Sequence, residues 1–271
     1  MHGTNAAAFF DLDKTVIAKA SMVAFGRPFY HAGLLPRTVL IRALWSQLVY
    51  QRMGASAERI ERMRHVVLRI TKGWDQAIVQ QVVSDSLHDV IDPIVYDEAL
   101  QLIRWHQSEG RKVFIVSAST EEIVAPLGRY LGVDEIIATR AQVDADGKYA
   151  GDIEIYAYGP NKALLMKQAA ERDGIDLEAS YAYSDSATDL PMLETVGHPV
   201  VVNGDRELLR VARQRGWEEQ VFTHQVRLRD RVHMPTPKQT VAIGSSVFGF
   251  ASVAVGAWIW VQKSKGPAVR S

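Results

Sequence analysis

No cysteine occurs among the 271 residues. Disulfides, thiolate zinc sites and cysteine nucleophiles are therefore excluded, so any covalent chemistry must use another side chain. The absence fits a cytosolic setting. Neither charge is in excess, because 31 Lys and Arg balance 31 Asp and Glu. A dedicated nucleic-acid binder would carry a basic surplus, so no nucleic-acid partner is expected. There is no internal repeat and no extended low-complexity tract. The first residues do not read as a signal peptide. Met1 to Asn5 holds no Lys or Arg, and the apolar stretch Ala6 to Phe10 runs at once into Asp11-Leu12-Asp13.

A long apolar run is present near the other end. Val241 to Val261 carries no charge, with Lys238 before it and Lys263 and Lys265 after it. A helix needs roughly 20 such residues to cross the hydrocarbon core. Trp258 and Trp260 stand where indoles favour the membrane interface. The competing reading is a buried helix of a soluble domain. A membrane helix over 240–262 is preferred, because no charged residue marks a solvated face. Residues 263–271 form a short tail. Residues 223–239, with Arg227, Arg229 and Arg231, read as a basic linker that is either merely solvated or lies against anionic headgroups.

Ahead of that segment, strand and helix patterns alternate. Ala6–Phe10, Lys112–Val116, Ile136–Thr139, Tyr181–Tyr183 and Val200–Val202 read as strands, and Val143–Tyr156 as a hairpin turning at Asp146-Gly147. Glu98–Glu109, Glu121–Leu131 and Asn161–Asp173 read as helices, and Leu190–Val196 as a helical turn. Between Thr15 and Pro93 the chain looks helical, including Leu34–Met53 and Ala57–Thr71. Such alternation predicts an α/β fold, a mostly parallel sheet with helices on both faces. The expected division is a core of residues 1–16 and 96–222 with a helical insertion, 17–95, after the first strand.

Four polar sites follow strand ends or open a helix, in order. They are Asp11-Leu12-Asp13-Lys14-Thr15, then Ser117 and Ala118, then Lys162 after Gly159-Pro160, then Asp185-xxx-Asp189. In an open parallel sheet, ligands bind beyond the carboxyl ends of the strands, so these sites should converge. Phosphate-ester cleavage needs such a set. A carboxylate, Asp11, can attack phosphorus and become phosphorylated. A magnesium ion on Asp11, Asp185 and a backbone carbonyl at Asp13 would screen the repulsion between anions. Lys162 adds positive charge. The Ser117 hydroxyl and nearby backbone N–H groups, Ala118 among them, can hold phosphate oxygens. Asp13 can serve the leaving oxygen as acid, then base.

The ordered set Asp11-x-Asp13-x-Thr15, Ser117, Lys162 and Asp185-xxx-Asp189 resembles the haloacid dehalogenase superfamily. Leu190-Pro191-Met192-Leu193, the Asp146–Asp152 hairpin and the position of the helical insertion resemble its phosphoserine-phosphatase-like branch. The resemblance implies a Rossmann-like core, a helical cap over the site and magnesium-dependent phosphomonoester hydrolysis. It also implies supporting roles for Thr15 and Asp189, the latter behind the metal and Lys162. Three departures stand out. Lys14 occupies a position usually Ser, Ala20 replaces the usual substrate-reading glutamate, and Ser117-Ala118-Ser119 replaces Ser-Gly-Gly. Ala20 points away from phosphoserine as substrate.

The aromatic residues Phe25, Phe29, Tyr30 and Trp45 read as cap core, Arg27, Arg64 and Arg69 as a solvated face, and the histidines as ordinary residues. The expected partners are a small-molecule or lipid-linked phosphate ester and, through the C-terminal helix, the cell membrane as a single-pass protein with its catalytic domain cytoplasmic. A homodimer is left open. Two alternatives stay beside the phosphatase, a phosphotransferase and a membrane-tethered non-catalytic binding module on the same fold.

Overall fold

The structure, a computed structural model, describes residues 5–36 and 57–225, with side chains from residue 64 in the second stretch. The expected membrane helix 240–262, the tail, most of the basic linker, and the segment 37–56 with Trp45 lie outside the described residues. Among the described residues no helix is long and apolar enough to cross a membrane.

The chain runs β1 (Ala7–Asp11), α1 (Ser21–Ala24), α2 (Gly26–His31), α3 (Ala57–Thr71), α4 (Gln76–Ile91), α5 (Asp97–Ser108), β2 (Lys112–Thr120), α6 (Glu121–Leu131), β3 (Glu135–Val143), β4 (Tyr149–Ile155), α7 (Pro160–Asp173), β5 (Tyr181–Ser184), α8 (Leu190–Leu193), β6 (His198–Val202), α9 (Arg206–Arg215) and β7 (Glu218–Gln220). The described strands form one sheet in the order β4-β3-β2-β1-β5-β6-β7. All neighbours are parallel except β3 and β4.

β1 is buried throughout, as an unbroken apolar run in a parallel sheet must be. Its residues alternate between two cores. Ala8 and Phe10 join Val79, Val83, Ile103 and Ile123 on one face, and Ala7 and Phe9 join Met166, Met192 and Leu208 on the other. Phe10 stacks on Tyr183 with ring centroids 4.3 Å apart, and Phe9 on Phe114 at 4.8 Å. Phe25 and Phe29 pack into the first core, as their core reading expects. From β1 the sheet extends toward β2 and β3, and the chain later returns to the opposite side of β1 with β5. The β1–β5 junction is thus a topological switch point, where a cleft opens at the strand ends.

The insertion packs on the hairpin. The N–H of Gly73 donates to the carbonyl of Tyr149 (2.8 Å), the N–H of Tyr149 to that of Trp74 (2.9 Å), and the N–H of Gln76 to that of Gly147 (3.0 Å). Asp75 caps α4 by accepting from the N–H groups of Ala77 and Ile78. Two elements go beyond the sequence reading, which ends its series at Val202. α9 and β7 follow, and β7 continues the sheet by pairing Val200–Val202 with Glu218–Gln220. β2 also runs three residues past Ser117.

Candidate active site

The strand ends bring the predicted residues together. Asp11 closes β1 and Asp185 follows β5, its neighbour in the sheet. Between Leu12 and Ile17 the chain closes a tight loop, with the N–H groups of Val16 and Ile17 both donating to the carbonyl of Leu12 (3.0 and 3.1 Å). Lys14 sits in that loop at φ 66°, left-handed backbone that a non-glycine residue enters at a cost. Retained strain of this kind clusters at functional sites. The Lys14 ammonium lies 4.0 Å from Asp185 Oδ2.

Lys162 arrives from another element. Gly159 has φ 55° and ψ −129°, open essentially to glycine alone, and Pro160 then starts α7. This turn places Lys162 in the first helical turn, buried, with Nζ donating to Asp11 Oδ1 at 2.6 Å and to Asp189 Oδ2 at 2.8 Å. Ser184 Oγ also donates to Asp189 Oδ2, at 2.7 Å. One buried ammonium therefore locks the orientation of both carboxylates.

The end of β2 carries a bulge. Ser117 pairs with Ala138 and Thr120 with Thr139, so Ala118 and Ser119 have no partner on β3. Bulges beside functional sites re-aim side chains and release backbone groups from the ladder. Ser117 Oγ accepts from the Ser119 N–H at 3.1 Å, which leaves its own hydrogen to donate elsewhere. Ala118 is exposed between two buried serines. Thr15 is buried, and among the described residues its hydroxyl has no hydrogen-bond partner.

Asp13 faces differently from Asp11. Its Oδ1 accepts from the Ser21 N–H at 2.8 Å, and its Oδ2 from the Ser119 hydroxyl at 3.3 Å. Ser21 and Asp205 escaped the sequence reading, and Ser119 and Ser184 fall inside its motifs without a role. Asp205 caps α9 through the Leu208 N–H (2.8 Å) and accepts from the Ala187 N–H (2.9 Å), and its own N–H donates to the Asp185 carbonyl (2.7 Å). It pins the loop that carries Asp185 and Asp189. The Asp-x-x-Leu step into an Arg-rich helix was its only sequence signal.

These observations meet a shared pattern in known proteins. The family model for haloacid dehalogenase-like hydrolases matches residues 8–194, which include all four motifs. The chain belongs to the haloacid dehalogenase-like hydrolases. It is 46% identical over 251 residues to the Streptomyces azureus "Inhibition of morphological differentiation protein", covering 92% of this chain and 91% of that one. It is 45% identical over 251 residues to a Mycobacterium tuberculosis relative named "Probable phosphatase Rv3661", covering 93% and 86%. Among solved structures, a phospho-aspartyl intermediate analogue of phosphoserine phosphatase superposes with a TM-score of 0.59. The identity is 20%, with 84% of this chain and 97% of that one covered. This haloacid dehalogenase-like hydrolase is a phosphatase, and a 30% identical Mycobacterium tuberculosis relative named "Phosphoserine phosphatase SerB1", with 91% of this chain and 80% of that one covered, puts it in the phosphoserine-phosphatase-like branch.

The charge balance of the family's site here is uneven. Asp11, Asp13, Asp185 and Asp189 surround one buried lysine. Desolvation raises Asp11 well above the ordinary carboxylate range; Lys162 opposes the rise, while Asp189 and Asp185 reinforce it. Desolvation likewise pushes Asp185 up to about 7, with Lys14 opposing. Lys162 is raised despite its burial, because Asp11 and Asp189 hold its proton. Among the described residues no three His, Cys, Asp or Glu side chains could hold a metal ion together. The Asp13 carboxylate is turned to Ser21 and Ser119, so its share in a metal site would be its backbone carbonyl. The donor set left, Asp11, Asp185 and that carbonyl, is all oxygen. It fits magnesium, which keeps several waters and takes one or two carboxylates.

A stability prediction follows. A carboxyl raised in the folded state keeps its proton where the unfolded chain has lost it, so stability falls as pH rises between the two values. For Asp185 that window runs from 3.8 to about 7. With chelator present, the melting temperature should fall from pH 5 to pH 7.5, and Asp185→Asn should flatten the decline. A wild-type profile that is level or rising, or one that Asp185→Asn leaves unchanged, would refute the assignment.

Proposed function

We propose that this phosphatase hydrolyses a phosphomonoester with magnesium, through a phosphorylated Asp11. The observation that carries the reading is the bridge from Lys162 Nζ to Asp11 and Asp189, with Asp185 at the neighbouring strand end. Lys162 holds Asp11 in one orientation and offsets charge at the nucleophile. The Asp11 carboxylate attacks phosphorus, the bond from phosphorus to the ester oxygen breaks, and Asp13 gives that oxygen a proton. Asp13 then takes a proton from water as the water attacks phosphorus, and the bond to Asp11 breaks. The Ser117 hydroxyl and the Ala118 N–H bind the non-reacting oxygens. Magnesium held by Asp11, Asp185 and the Asp13 carbonyl would supply charge neutralisation. The residues of the hydrolytic set are all present, which weighs against a non-catalytic module.

We also propose that the uncharged stretch 241–261 is a single membrane span, on the length argument alone. The substrate class stays a small or lipid-linked ester, with phosphoserine disfavoured by Ala20.

The test uses the full-length chain expressed in cells. The protein should sediment with membranes and be released by detergent but not by alkaline carbonate. The solubilised enzyme should release phosphate from at least one of phosphoserine, sugar phosphates, nucleotides and lysolipid phosphates, with magnesium but not with chelator. Acid quench should trap phosphate on Asp11. Turnover unaffected by chelator, or phosphate on another residue, would sink the mechanism; a soluble full-length chain would sink the membrane assignment. Added alcohols that capture phosphate faster than water would convert the reading to a phosphotransferase.

A further inference from the structure

A chain of hydroxyls leads to Asp13. Ser119 Oγ–H donates to Asp13 Oδ2 at 3.3 Å, and Ser119 Oγ lies 2.7 Å from Ser21 Oγ. Either hydroxyl can donate in that pair, and both serine side chains act on the Asp13 carboxyl group. Ser21 is fully buried and Ser119 nearly so. The Ser21 N–H meanwhile donates to Asp13 Oδ1 at 2.8 Å. Both oxygens of Asp13 are therefore held, by a backbone N–H and by a pair of serine hydroxyls.

The two halves of this clamp have separate origins. Ser21 opens α1, on the cap side of the loop that carries Asp11 and Asp13. Ser119 stands on the bulge that ends β2, where the lost pairing with β3 turns its side chain inward. Its N–H is also spent locally, on Ser117 Oγ. Ser119 thus links the phosphate-binding end of β2 to the carboxyl that serves the leaving group.

We propose that Ser119, backed by Ser21, is a positioning residue that fixes the Asp13 carboxyl group for proton delivery to the leaving oxygen. The inference rests on the reading of Asp13 as the acid. As the bond from phosphorus to the ester oxygen breaks, its electron pair goes to that oxygen, which takes the Asp13 proton. The carboxyl group becomes a carboxylate, and the two donors already face its oxygens. Donors aimed in advance at developing charge act most strongly in a buried site. A freely rotating Asp13 would deliver its proton less often.

This role has a signature that a packing role lacks. An ester whose leaving group is a stable anion needs little proton transfer; one with a basic leaving group needs much. Loss of the clamp should therefore hurt poor leaving groups more, whereas loosened packing should slow all esters alike. The value of kcat/KM reports steps up to leaving-group departure, so it is the quantity to compare.

The experiment measures kcat/KM of the full-length enzyme with magnesium for substituted phenyl phosphates, from p-nitrophenyl to unsubstituted phenyl. Asp13→Ala should steepen the dependence on leaving-group basicity, with the loss on phenyl phosphate reaching roughly 100-fold or more. Ser119→Ala should steepen it in the same direction, with about 10-fold more loss on phenyl than on p-nitrophenyl phosphate, the equivalent of about one charge-assisted hydrogen bond. Ser119→Thr, which keeps a hydroxyl, should restore the wild-type slope, and Ser21→Ala should steepen it to a lesser degree. If Asp13→Ala steepens the dependence and Ser119→Ala lowers all esters equally or changes none, Ser119 is no positioning residue. If Asp13→Ala itself leaves the slope unchanged, Asp13 is not the acid and the inference falls with that reading.

Discussion

Asp11→Asn should abolish turnover while leaving the metal-free protein no less stable than the wild type. The amide cannot form an acyl phosphate, and loss of a nucleophile in other covalent enzymes costs on the order of 10⁶ in kcat. Activity should therefore fall below detection on every ester. Stability should move the other way. Burial raises Asp11, and Asp189 and Asp185 push in the same sense. A carboxylate whose folded pKa lies above its unfolded one costs stability at every pH above the unfolded value. A neutral amide removes that cost, and its oxygen can still accept from Lys162. With chelator at pH 7.5, the melting temperature of Asp11→Asn should equal or exceed that of the wild type. Added magnesium should then stabilise the variant less, because a carboxylate donor is gone. A variant that retains turnover would exclude Asp11 as nucleophile. One that is inactive but markedly less stable without metal would mean that Asp11 is held mainly as a structural partner of Lys162.

The contrast between legible and hidden parts of this site has a physical origin. Asp11, Asp185 and Ser117 could be found because each interrupts or follows an apolar strand, and a parallel sheet gathers its strand ends at one edge. Lys162 was marked by Gly159-Pro160, a pair that pre-sets a helix start. Ser119 and Ser21 carry no such mark. Their pairing depends on a bulge in β2 and on where α1 meets the core, and neither leaves a period in the sequence. Asp205 acts through backbone groups of a loop some twenty residues earlier. α9 was missed because its buried face is narrow; Leu208 and Ala212 are covered while Arg206, Arg210, Arg213 and Arg215 crowd the helix. β7 has no apolar residue at all, and Glu218–Gln220 becomes a strand only by pairing with β6. Arg64, read as part of a solvated face, lies over the Tyr156 ring at 5.6 Å, a contact between cap and core that sequence spacing cannot show.

Lys162→Met should lose both activity and stability, the reverse of the Asp11 variant in the second respect. Lys162 is buried, and its two ion pairs, at 2.6 and 2.8 Å, have almost no exposed surface on either side. Methionine keeps most of the volume but removes the charge. Breaking a buried pair by deleting one partner typically costs about 3–5 kcal/mol, because the remaining charge is left unpaired. Here two carboxylates, Asp11 and Asp189, would be left facing each other, with Asp185 close enough to add to the repulsion. Asp11, already raised by burial and now without Lys162 to oppose the rise, can escape only by taking up a proton, so the penalty should grow as pH rises above the ordinary carboxylate range. The variant should melt well below the wild type at pH 7.5 with chelator and recover part of the gap at pH 5. Magnesium should recover part of it as well, by supplying the missing positive charge to Asp11 and Asp185. Activity should not return with it, since Asp11 loses the contact that sets its orientation. A reduction of on the order of 10²–10³ in kcat/KM is expected, the size of effect seen when one preorganised donor is removed. A Lys162→Met protein with wild-type stability at both pH values would mean that Lys162 is not what holds these carboxylates together.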